Sequence, residues 1–329
     1  MMYIGDLVED TSGSASELVE WADIVIIQRL LLSEVQNSIF YWRSKGKPIA
    51  ADLDDAYLIM PSSVASHRFW KQGIVGGKKD GKDVHIQMTY KPDEQLVWGV
   101  KLCNALISPS KVICEDWKAY TPNTFLVPNY IDSSLYIPHR RVPGDGTIVI
   151  GWGGSFSHLD SWNGSKIIPA LHRILMERKN VRLSLAGGDP RIYGQFHRQR
   201  SQVMIHSWVP HDKWPETLAE FDIGVIPLSG EYDQRRSWIK PLEYSIMGIP
   251  WVGSSNRMTD EFSTMGTLVR NKSMDWYEAL IEAIDDIEGR RAAMFPWMHW
   301  AEDQDVRANV HNLISTYQQI IDLGLTRHE

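Results

Sequence analysis

The sequence predicts an α/β protein in which helices cover parallel sheets. Short apolar runs rich in β-branched residues alternate with longer amphipathic stretches, and this alternation is typical of parallel strands joined by crossover helices. It occurs in both halves of the 329-residue chain, and an ordinary domain has roughly 150 residues. Two Rossmann-like domains therefore account for both the pattern and the length.

In the first half, the apolar runs predict four strands and one helix. The strands are expected at 22–28, 48–53, 104–110 and 124–129, and the helix at 111–120. The stretch from about 75 to 93 is rich in Gly, Lys and Asp. Because such composition is typical of surface connections, we expect an exposed, mobile loop there.

The second half repeats the pattern with five predicted strands, at 147–154, 181–188, 203–209, 221–228 and 249–254. After Pro296 the chain becomes amphipathic and predicts one or two closing helices. The segment 139–146 combines Pro, Gly and charge with little apolar content, so it is the expected linker. The predicted organisation is an N-terminal domain at 1–142, a C-terminal domain at 147–300 and a closing helical region at 301–329.

Composition argues against several classes of protein. The chain has 34 Lys and Arg against 41 Asp and Glu, a net charge of −7, so strong general binding to nucleic acid has no electrostatic support. The two cysteines, Cys103 and Cys114, lack the spacing of a zinc site or a disulfide framework. The apolar runs are too short for a transmembrane segment, and the acidic start is unlike a secretory signal. We therefore expect a cytoplasmic protein.

A glycine-rich turn follows the first strand of the second half. Gly151, Gly153 and Gly154 precede Ser155 and His158, at the start of a predicted helix. Ligands of open α/β sheets bind at such turns, where the backbone and the helix dipole favour a phosphate. A tight turn would need the same glycines, so both interpretations stay open. The pattern is neither GxGxxG nor GxxxxGK[ST], which argues against a dinucleotide site or a P-loop.

A charged cluster follows the strand predicted at 221–228. Lys240 and Glu243 are three residues apart and share one helix face, and Arg235 and Arg236 come just before them. Cations gathered in an acidic chain suit a diphosphate, and a carboxylate can accept hydrogen bonds from both hydroxyls of a ribose. The alternative is a solvated helix face with an intrahelical Lys–Glu pair.

The run from residue 221 to 255, with Ser237, Lys240, Glu243, Tyr244 and the Gly-Ile-Pro at 248–250, resembles the C-terminal nucleotide-sugar site of GT-B glycosyltransferases, particularly glycosyltransferase family 4. The loop IGWGGSFSHLD and the stretch LSLAGGDP are similar to the same family. The stretches ADIVIIQR, KPIAADLDDAY and FLVPNYID resemble its acceptor-side domain more loosely.

The resemblance implies roles for individual residues. Glu243 corresponds to the second glutamate of the family's E-x7-E element, which holds the ribose of the donor nucleotide. The glycine run with Ser155 would lie beside the diphosphate, with Lys240 or Arg236 as its side-chain partner and Ser237 close by. His206 and Trp208 stand near a strand end where the family builds its base pocket.

Some residues depart from the family pattern or keep two interpretations. The first glutamate of E-x7-E falls at Arg235, so Asp233 or Glu231 would have to supply that carboxylate from the same loop. His158 could approach the reacting sugar, or it could be an ordinary buried histidine. Asn129 resembles a motif at the family's domain junction, and a turn former would explain it equally well.

Three acids follow the strand predicted at 48–53, namely Asp52, Asp54 and Asp55. Three carboxylates at a strand end suit a metal ion, but the run lacks further ligands, which favours a helix N-cap. The resemblance also implies catalysis without metal.

The resemblance implies a hexosyltransferase-like, retaining enzyme with the GT-B fold and a cleft between its two domains. It would move a sugar from a nucleotide-diphosphate donor, a UDP-sugar or alternatively a GDP-sugar, to an acceptor hydroxyl. The acceptor stays open among a glycan, a lipid-linked sugar, a protein and a modified base. Arg235 motivates an alternative, a non-catalytic nucleotide-sugar or glycan-binding protein. A sugar-nucleotide epimerase or dehydrogenase would need a dinucleotide fingerprint that the sequence does not show.

Overall fold

The computed structural model describes residues 15–79, 82–137 and 146–325. The chain divides into two compact units. One comprises Met1–Asp55, Phe69–Val127 and His311–Glu329, and the other comprises Ala56–Arg68 and Pro128–Val310. The expected linker at 139–146 lies outside the described residues except for Gly146, so the domain boundaries proposed from the sequence stay predictions.

The first unit contains six described strands, which are β1 (Val25–Gln28), β2 (Ile49–Asp52), β3 (Ile74–Lys79), β4 (Lys82–Gln87), β5 (Ala105–Ser108) and β6 (Thr124–Leu126). Four of them form a parallel sheet in the order β1-β2-β5-β6. Ala50 of β2 lies opposite Ala105 of β5, and both are fully buried. β2 and β5 are buried along nearly their whole length, and strands buried on both faces have continuous apolar runs, which is why the sequence predicted them.

The prediction of a loop at 75–93 is wrong. β3 and β4 pair antiparallel in this stretch, with Val75 opposite Ile86 and Gly77 opposite Val84. Helix then begins at Pro92. The Gly and Lys content concealed a regular hairpin, in which Val75 and Ile86 form an apolar cross-strand pair.

The helices of the first half are α1 (Ala15–Trp21), α2 (Ser33–Ser44), α3 (His67–Gln72), α4 (Pro92–Leu102) and α5 (Lys111–Trp117). α5 begins where the hydroxyl of Ser110 accepts a hydrogen bond from the Ile113 N–H, an N-cap. It ends three residues before the expected end at 120. Cys103 and Cys114 are buried and free.

The second unit contains a six-stranded parallel sheet. Its strands are β7 (Ile148–Gly154), β8 (Val181–Gly187), β9 (Val203–His206), β10 (Ile223–Ile226), β11 (Trp251–Ser254) and β12 (Thr267–Val269). Their order is β12-β11-β10-β7-β8-β9, which is the Rossmann order, with the direction of winding reversing between β7 and β10. The sequence predicted five of these strands, all of them longer than observed, and missed the short β12.

The helices of the second half are α6 (Leu159–Ser165), α7 (Ile167–Glu177), α8 (Pro190–Tyr193), α9 (Trp214–Leu218), α10 (Gly230–Asp233), α11 (Ile239–Ile246), α12 (Ser273–Asp285), α13 (Ile287–Ala293), α14 (Phe295–Glu302) and α15 (Val306–Leu325). Trp152, Trp162 and Trp276 are fully buried in one core with α7 and α12. Two helices, α14 and α15, close the chain. Within the described residues, no helix has both the length and the apolar content to cross a membrane.

Candidate functional site

The loops that follow β7 and β10 meet at the point where the winding of the second sheet reverses. Ligands of doubly wound sheets bind in the crevice at this point. Arg236, in the loop after β10, donates hydrogen bonds from Nη2 to the carbonyl and the hydroxyl of Ser157, in the loop after β7, at 3.3 and 3.1 Å. The two loops selected from the sequence are therefore adjacent.

The glycines of β7 make room for aromatic rings. A Cβ atom at Gly151 would lie 1.9 Å from Phe221, one at Gly153 would lie 2.1 Å from Trp214, and one at Gly154 would lie 2.6 Å from Trp152. These distances leave no space for a methyl group. None of the three has the positive φ of a tight turn, so close packing, and not turn formation, explains the glycine run.

Lys240, on α11, reaches back to this strand. Its ammonium donates a hydrogen bond to the Gly153 carbonyl and lies 5.5 Å from the centre of the Trp152 ring. Burial lowers the pKa of Lys240 to about 8, the Glu243 carboxylate opposes this shift, and Arg236 adds to it. A cation therefore stands at the carboxyl edge of β7, with a proton that is easily lost.

Glu243 lies one helical turn beyond Lys240, as the spacing predicted, and only 8% of its surface is exposed. Its Oε1 accepts hydrogen bonds from Trp214 Nε1 at 2.9 Å and from Tyr136 Oη at 3.3 Å. Burial raises the pKa of Glu243, whereas Lys240 and the two donors act in the opposite direction. The alternative of a solvated Lys–Glu helix face is wrong, because this carboxylate is buried.

Arg236 is held by an acid from the same loop. Asp233 is 1% exposed and accepts hydrogen bonds from the Ser229 N–H at 2.7 Å and from Arg236 Nε at 3.2 Å. The guanidinium also lies 4.8 Å from the centre of the Tyr232 ring. Asp233 is thus buried behind Arg236, and its expected contact with the donor sugar stays a prediction.

Arg235 and Glu231 pair with each other. Arg235 Nη1 lies 3.2 Å from Glu231 Oε2 and also donates to the Glu231 carbonyl. The residue that stands where the family has its first glutamate is therefore bound to one of the two acids considered as a replacement.

His158 is buried at the end of the loop after β7, with 7% of its surface exposed. Its ring packs edge to face on Trp152, with centroids 5.6 Å apart. Burial holds the pKa of His158 well below its usual range, and the charges of Arg236 and Lys240 lower it further. Its Nδ1 has no hydrogen-bond partner among the described residues. A neutral imidazole with one buried, unpaired nitrogen therefore lies near the two cations, Arg236 and Lys240.

Asn129 is tied to the residues that precede α11. Its side-chain amide donates a hydrogen bond to the hydroxyl of Ser237 at 2.9 Å, and its main-chain carbonyl accepts one from Trp238 Nε1 at 2.8 Å. The hydroxyl of Ser237 is therefore engaged by Asn129, which places Asn129 beside the candidate site instead of in an isolated turn.

His206 and Trp208 lie at the end of β9. Trp208 is 77% exposed, and a Cβ at Gly187, at the end of β8, would lie 3.6 Å from its ring. His206 Nε2 lies 3.3 Å from Glu220 Oε2. The exposed indole of Trp208 therefore stands at the same sheet edge as the glycine run.

Ser155 is exposed, and its hydroxyl caps the short turn that follows β7 by accepting a hydrogen bond from the Ser157 N–H.

The acids of the first unit form a different arrangement. Arg29 pairs with Asp54, and burial, together with the charge of Asp54, raises the pKa of Asp52 to about 6. The expected N-cap is wrong, since Ala56 precedes the next helical turn and no side chain caps it. Across the described ranges, no group of three His, Cys, Asp or Glu residues is arranged to hold a metal ion.

Sequence reasoning missed Trp214 and Tyr136. Trp214 lies in the segment HDKWPETL and Tyr136 in SSLYIP, neither of which carries a known motif. Both reach Glu243 only because the fold brings them there, from 29 and 107 residues away in the chain. No local signal could have identified them.

The second unit also matches a known family. Residues 148–286 match the family model of glycosyl transferases group 1, and this range includes the loops after β7 and β10, Lys240 and Glu243. The match supports a glycosyltransferase of group 1. No significant match was found among curated proteins.

Solved structures resemble the whole chain. Alr3699/HepE from Anabaena, determined in complex with UDP, has a TM-score of 0.63 at 16% identity, over 92% of this chain and 81% of that one. Sucrose-phosphate synthase from Thermosynechococcus elongatus has a TM-score of 0.63 at 16% identity, over 93% and 78%. A UDP-forming α,α-trehalose-phosphate synthase from Burkholderia xenovorans has 0.59 at 12%, over 93% and 76%.

The fold is GT-B. At these identities the likeness establishes the architecture of two Rossmann-like α/β units, and it confirms the fold class predicted from the sequence. The chemistry of the site has to be argued from the residues themselves.

Proposed function

We propose that this protein transfers a sugar from a UDP-sugar to an acceptor hydroxyl. The observation that carries the proposal is the convergence of Lys240, Arg236 and Glu243 at the point of reversed winding in the second sheet. Two cations suit a diphosphate and a buried carboxylate suits a ribose. The match to glycosyl transferases group 1 over the same residues favours transfer over a non-catalytic nucleotide-sugar or glycan-binding role.

The donor is proposed to bind along the carboxyl edge of β7, β8 and β9. The diphosphate would contact Lys240 and Arg236, near the main chain of the glycine run and Ser155, and the ribose would contact Glu243, with Ser237 nearby. Trp208 would stack on the base, since its exposed indole offers an aromatic face, and His206 would border the base pocket. The UDP bound to HepE supports uracil as the base, and a GDP-sugar is the alternative.

In the proposed reaction, the bond between the anomeric carbon and the phosphate oxygen breaks and the diphosphate leaves with the electron pair. Lys240 and Arg236 stabilise the charge that develops on the leaving group, which is the dominant contribution in such electrostatic catalysis. The departing phosphate then accepts the proton of the acceptor hydroxyl, and attack on the same face retains the anomeric configuration. Asp233 acts through Arg236 as a positioning residue.

His158 is proposed to assist as a neutral hydrogen-bond partner. Because its pKa is far below neutral, the imidazole carries no charge that would repel the developing oxocarbenium ion. Its Nδ1 is buried and unpaired among the described residues, so the other ring nitrogen, Nε2, is the atom proposed to bind a hydroxyl of the donor sugar. We further propose that the protein belongs to glycosyltransferase family 4, that it transfers the sugar without a metal ion, and that it is located in the cytoplasm.

The first test of this function is nucleotide binding. Thermal shift would be measured with UDP, GDP and ADP in the presence of EDTA, since a ligand that binds only the folded state raises its stability. We expect UDP to stabilise the wild-type protein, Glu243→Gln to lose that effect, and the exposed Glu278→Gln control to retain it. Stabilisation by GDP alone would mean that the donor nucleotide carries guanine instead of uracil. No stabilisation by any nucleotide would contradict the donor site.

The second test is transfer itself. UDP release from UDP-glucose would be measured with EDTA against glycans, lipid-linked sugars, a peptide and nucleosides as acceptors, and the anomeric configuration of any product would be read by NMR. Release that depends on one acceptor class, with retention, is the expected result. UDP binding without release for any acceptor would instead support the non-catalytic role, and release that requires a metal ion would contradict metal independence.

A further inference from the structure

We propose that Trp214 and Tyr136 position the carboxylate of Glu243, so that one of its oxygens is fixed by the protein and the other is presented to the ribose. This inference rests on the proposed function and adds two residues that the family pattern does not supply. Trp214 and Tyr136 act through Glu243 and are positioning residues.

The hydrogen bonds to Glu243 are unequally divided between its two oxygens. Trp214 Nε1 and Tyr136 Oη both donate to Oε1, at 2.9 and 3.3 Å. Within the described ranges, no side chain or backbone group donates to Oε2. A carboxylate oxygen has two lone pairs, so two donors satisfy Oε1 and fix the plane of the group. Oε2 therefore keeps both lone pairs free to accept hydrogen bonds from hydroxyl groups.

The indole of Trp214 is itself held in place. Its ring occupies the space that a side chain at Gly153 would fill, since a Cβ there would lie 2.1 Å from it. It also packs edge to face on Phe221, with centroids 6.2 Å apart. The ring is therefore fixed by β7 and by Phe221, two residues before β10, and its N–H has one direction in which to donate.

Tyr136 approaches Glu243 from a different part of the second unit. It is 3% exposed and belongs to the core that includes Leu218 and Leu242. Burial and the charge of Glu243 raise the pKa of its phenol, so the hydroxyl keeps its proton and remains a donor. Tyr136 lies in this core and Trp214 packs against it, so two donors from separate segments restrain the carboxylate more tightly than one flexible partner could.

This arrangement has a consequence for ionisation. Hydrogen bonds to the charged form of a carboxylate lower its pKa. On Glu243 they act together with the charges of Lys240 and His211, and all of these oppose the effect of burial. Removing either donor should raise the pKa of Glu243, so the protonated form would appear at higher pH. A purely structural pair would change the stability of the protein without changing the pH dependence of ribose recognition.

The experiment compares UDP with 2′-deoxy-UDP by titration calorimetry from pH 5.5 to 8.5. In the wild-type protein we expect UDP to bind about tenfold more tightly, the value of roughly one hydrogen bond to a charged group. Trp214→Phe keeps an aromatic ring and removes the N–H. We expect this variant to lose most of the preference, to bind 2′-deoxy-UDP nearly as before, and to lose UDP affinity at a higher pH than the wild type as the pH falls.

Two further variants make the result decisive. Tyr136→Phe should reduce the preference in the same direction but by less, because its hydrogen bond is longer. Trp276→Phe is the matched control, since its buried indole also donates a hydrogen bond, to the Ser165 carbonyl at 2.8 Å. It should lower stability and leave the UDP preference and its pH dependence unchanged.

The outcomes separate the inference from the function on which it rests. Absence of UDP binding by the wild-type protein would contradict the proposed function. A wild-type preference for UDP that persists in both Trp214→Phe and Tyr136→Phe, with an unchanged pH profile, would overturn the positioning role and leave the donor site intact. If Trp214→Phe does not fold, Tyr136→Phe against Trp276→Phe gives the same decision.

Discussion

The two sheets of this chain differ in the order of their strands, and that order determines where charged side chains can gather. In the first unit the described strands follow one another across the sheet, β1-β2-β5-β6, without a reversal of winding. In the second unit the winding reverses between β7 and β10, and ligands of doubly wound sheets bind at such a reversal. Lys240, Arg236 and Glu243 lie at the reversal. Two α/β units built from parallel sheets therefore differ in where their topology can gather charged side chains.

The largest effect is expected at Lys240, where the comparison would be broken most directly. Lys240→Met removes the charge that is proposed to stabilise the leaving diphosphate, and we expect kcat to fall by about 10²- to 10³-fold, the usual cost of losing one such group. Arg29→Met, in the first unit, is the matched control and should change kcat far less. Initial rates of UDP release would measure both, and equal losses would show that the first unit contributes as much to the chemistry.

A smaller effect is expected from Gly153→Ala. Its methyl group would overlap the Trp214 ring, and overpacking of this kind costs about 1–3 kcal/mol of stability. Chemical denaturation would measure that cost, and UDP affinity should fall as well because Trp214 moves. Gly194→Ala is the control, since nothing lies within 4 Å of a Cβ at that position. Equal stability of the two variants would contradict the packing that joins β7 to Glu243.

The pH dependence of diphosphate binding sharpens the comparison further. The protonated form of Lys240 is the one proposed to bind a diphosphate, and its pKa of about 8 means that this form is lost as the pH rises through that value. We expect UDP affinity to fall between about pH 7.5 and 9, by about tenfold at most. Lys240→Arg should keep its affinity over this range, because a guanidinium stays charged. A flat wild-type profile would contradict the lowered pKa.

The smallest effect is expected at Asp52 in the first unit. Its folded pKa of about 6 lies above its unfolded value, so ionisation opposes folding. This cost is absent below the unfolded pKa, grows as the pH rises, and is complete above about pH 6. Asp52→Asn should therefore stabilise the protein at pH 7.5, by about 1 kcal/mol after allowance for solvent screening, and not at pH 4. Denaturation at both pH values would test this, and equal effects would contradict it.

The fold could be predicted from the sequence where apolar runs are buried on both faces. β2 and β7 are such strands, whereas β12 has three residues, too few for a periodic signal. The hairpin β3–β4 was missed because its glycines and lysines obscure the alternation of Val75, Val84 and Ile86. The Asp-Gly dipeptide at 80–81, which lies outside the described residues, is a sequence signal for a hairpin.

The candidate site could be predicted in part. Lys240 and Glu243 were found because their spacing on a helix is a local property, and the structure places both at the strand edge that topology selects. Trp214 and Tyr136 could not be found, since their role depends on contacts made across the fold. The same holds for Gly153, whose function as a space for Trp214 is invisible until the ring is in place.

The last helix has a consequence for how this protein forms on the ribosome. α15 begins in the second unit and ends in the first, where Ile320 is fully buried in one core with Ala50, Ala105 and Ile107. Every residue of the second unit has been synthesised by Val310, whereas the first unit lacks part of its core until α15 has been synthesised. Domains fold as they emerge during synthesis. The unit that is translated first is therefore completed last, and a chain shortened by its final helix would leave the core around Ala50 open.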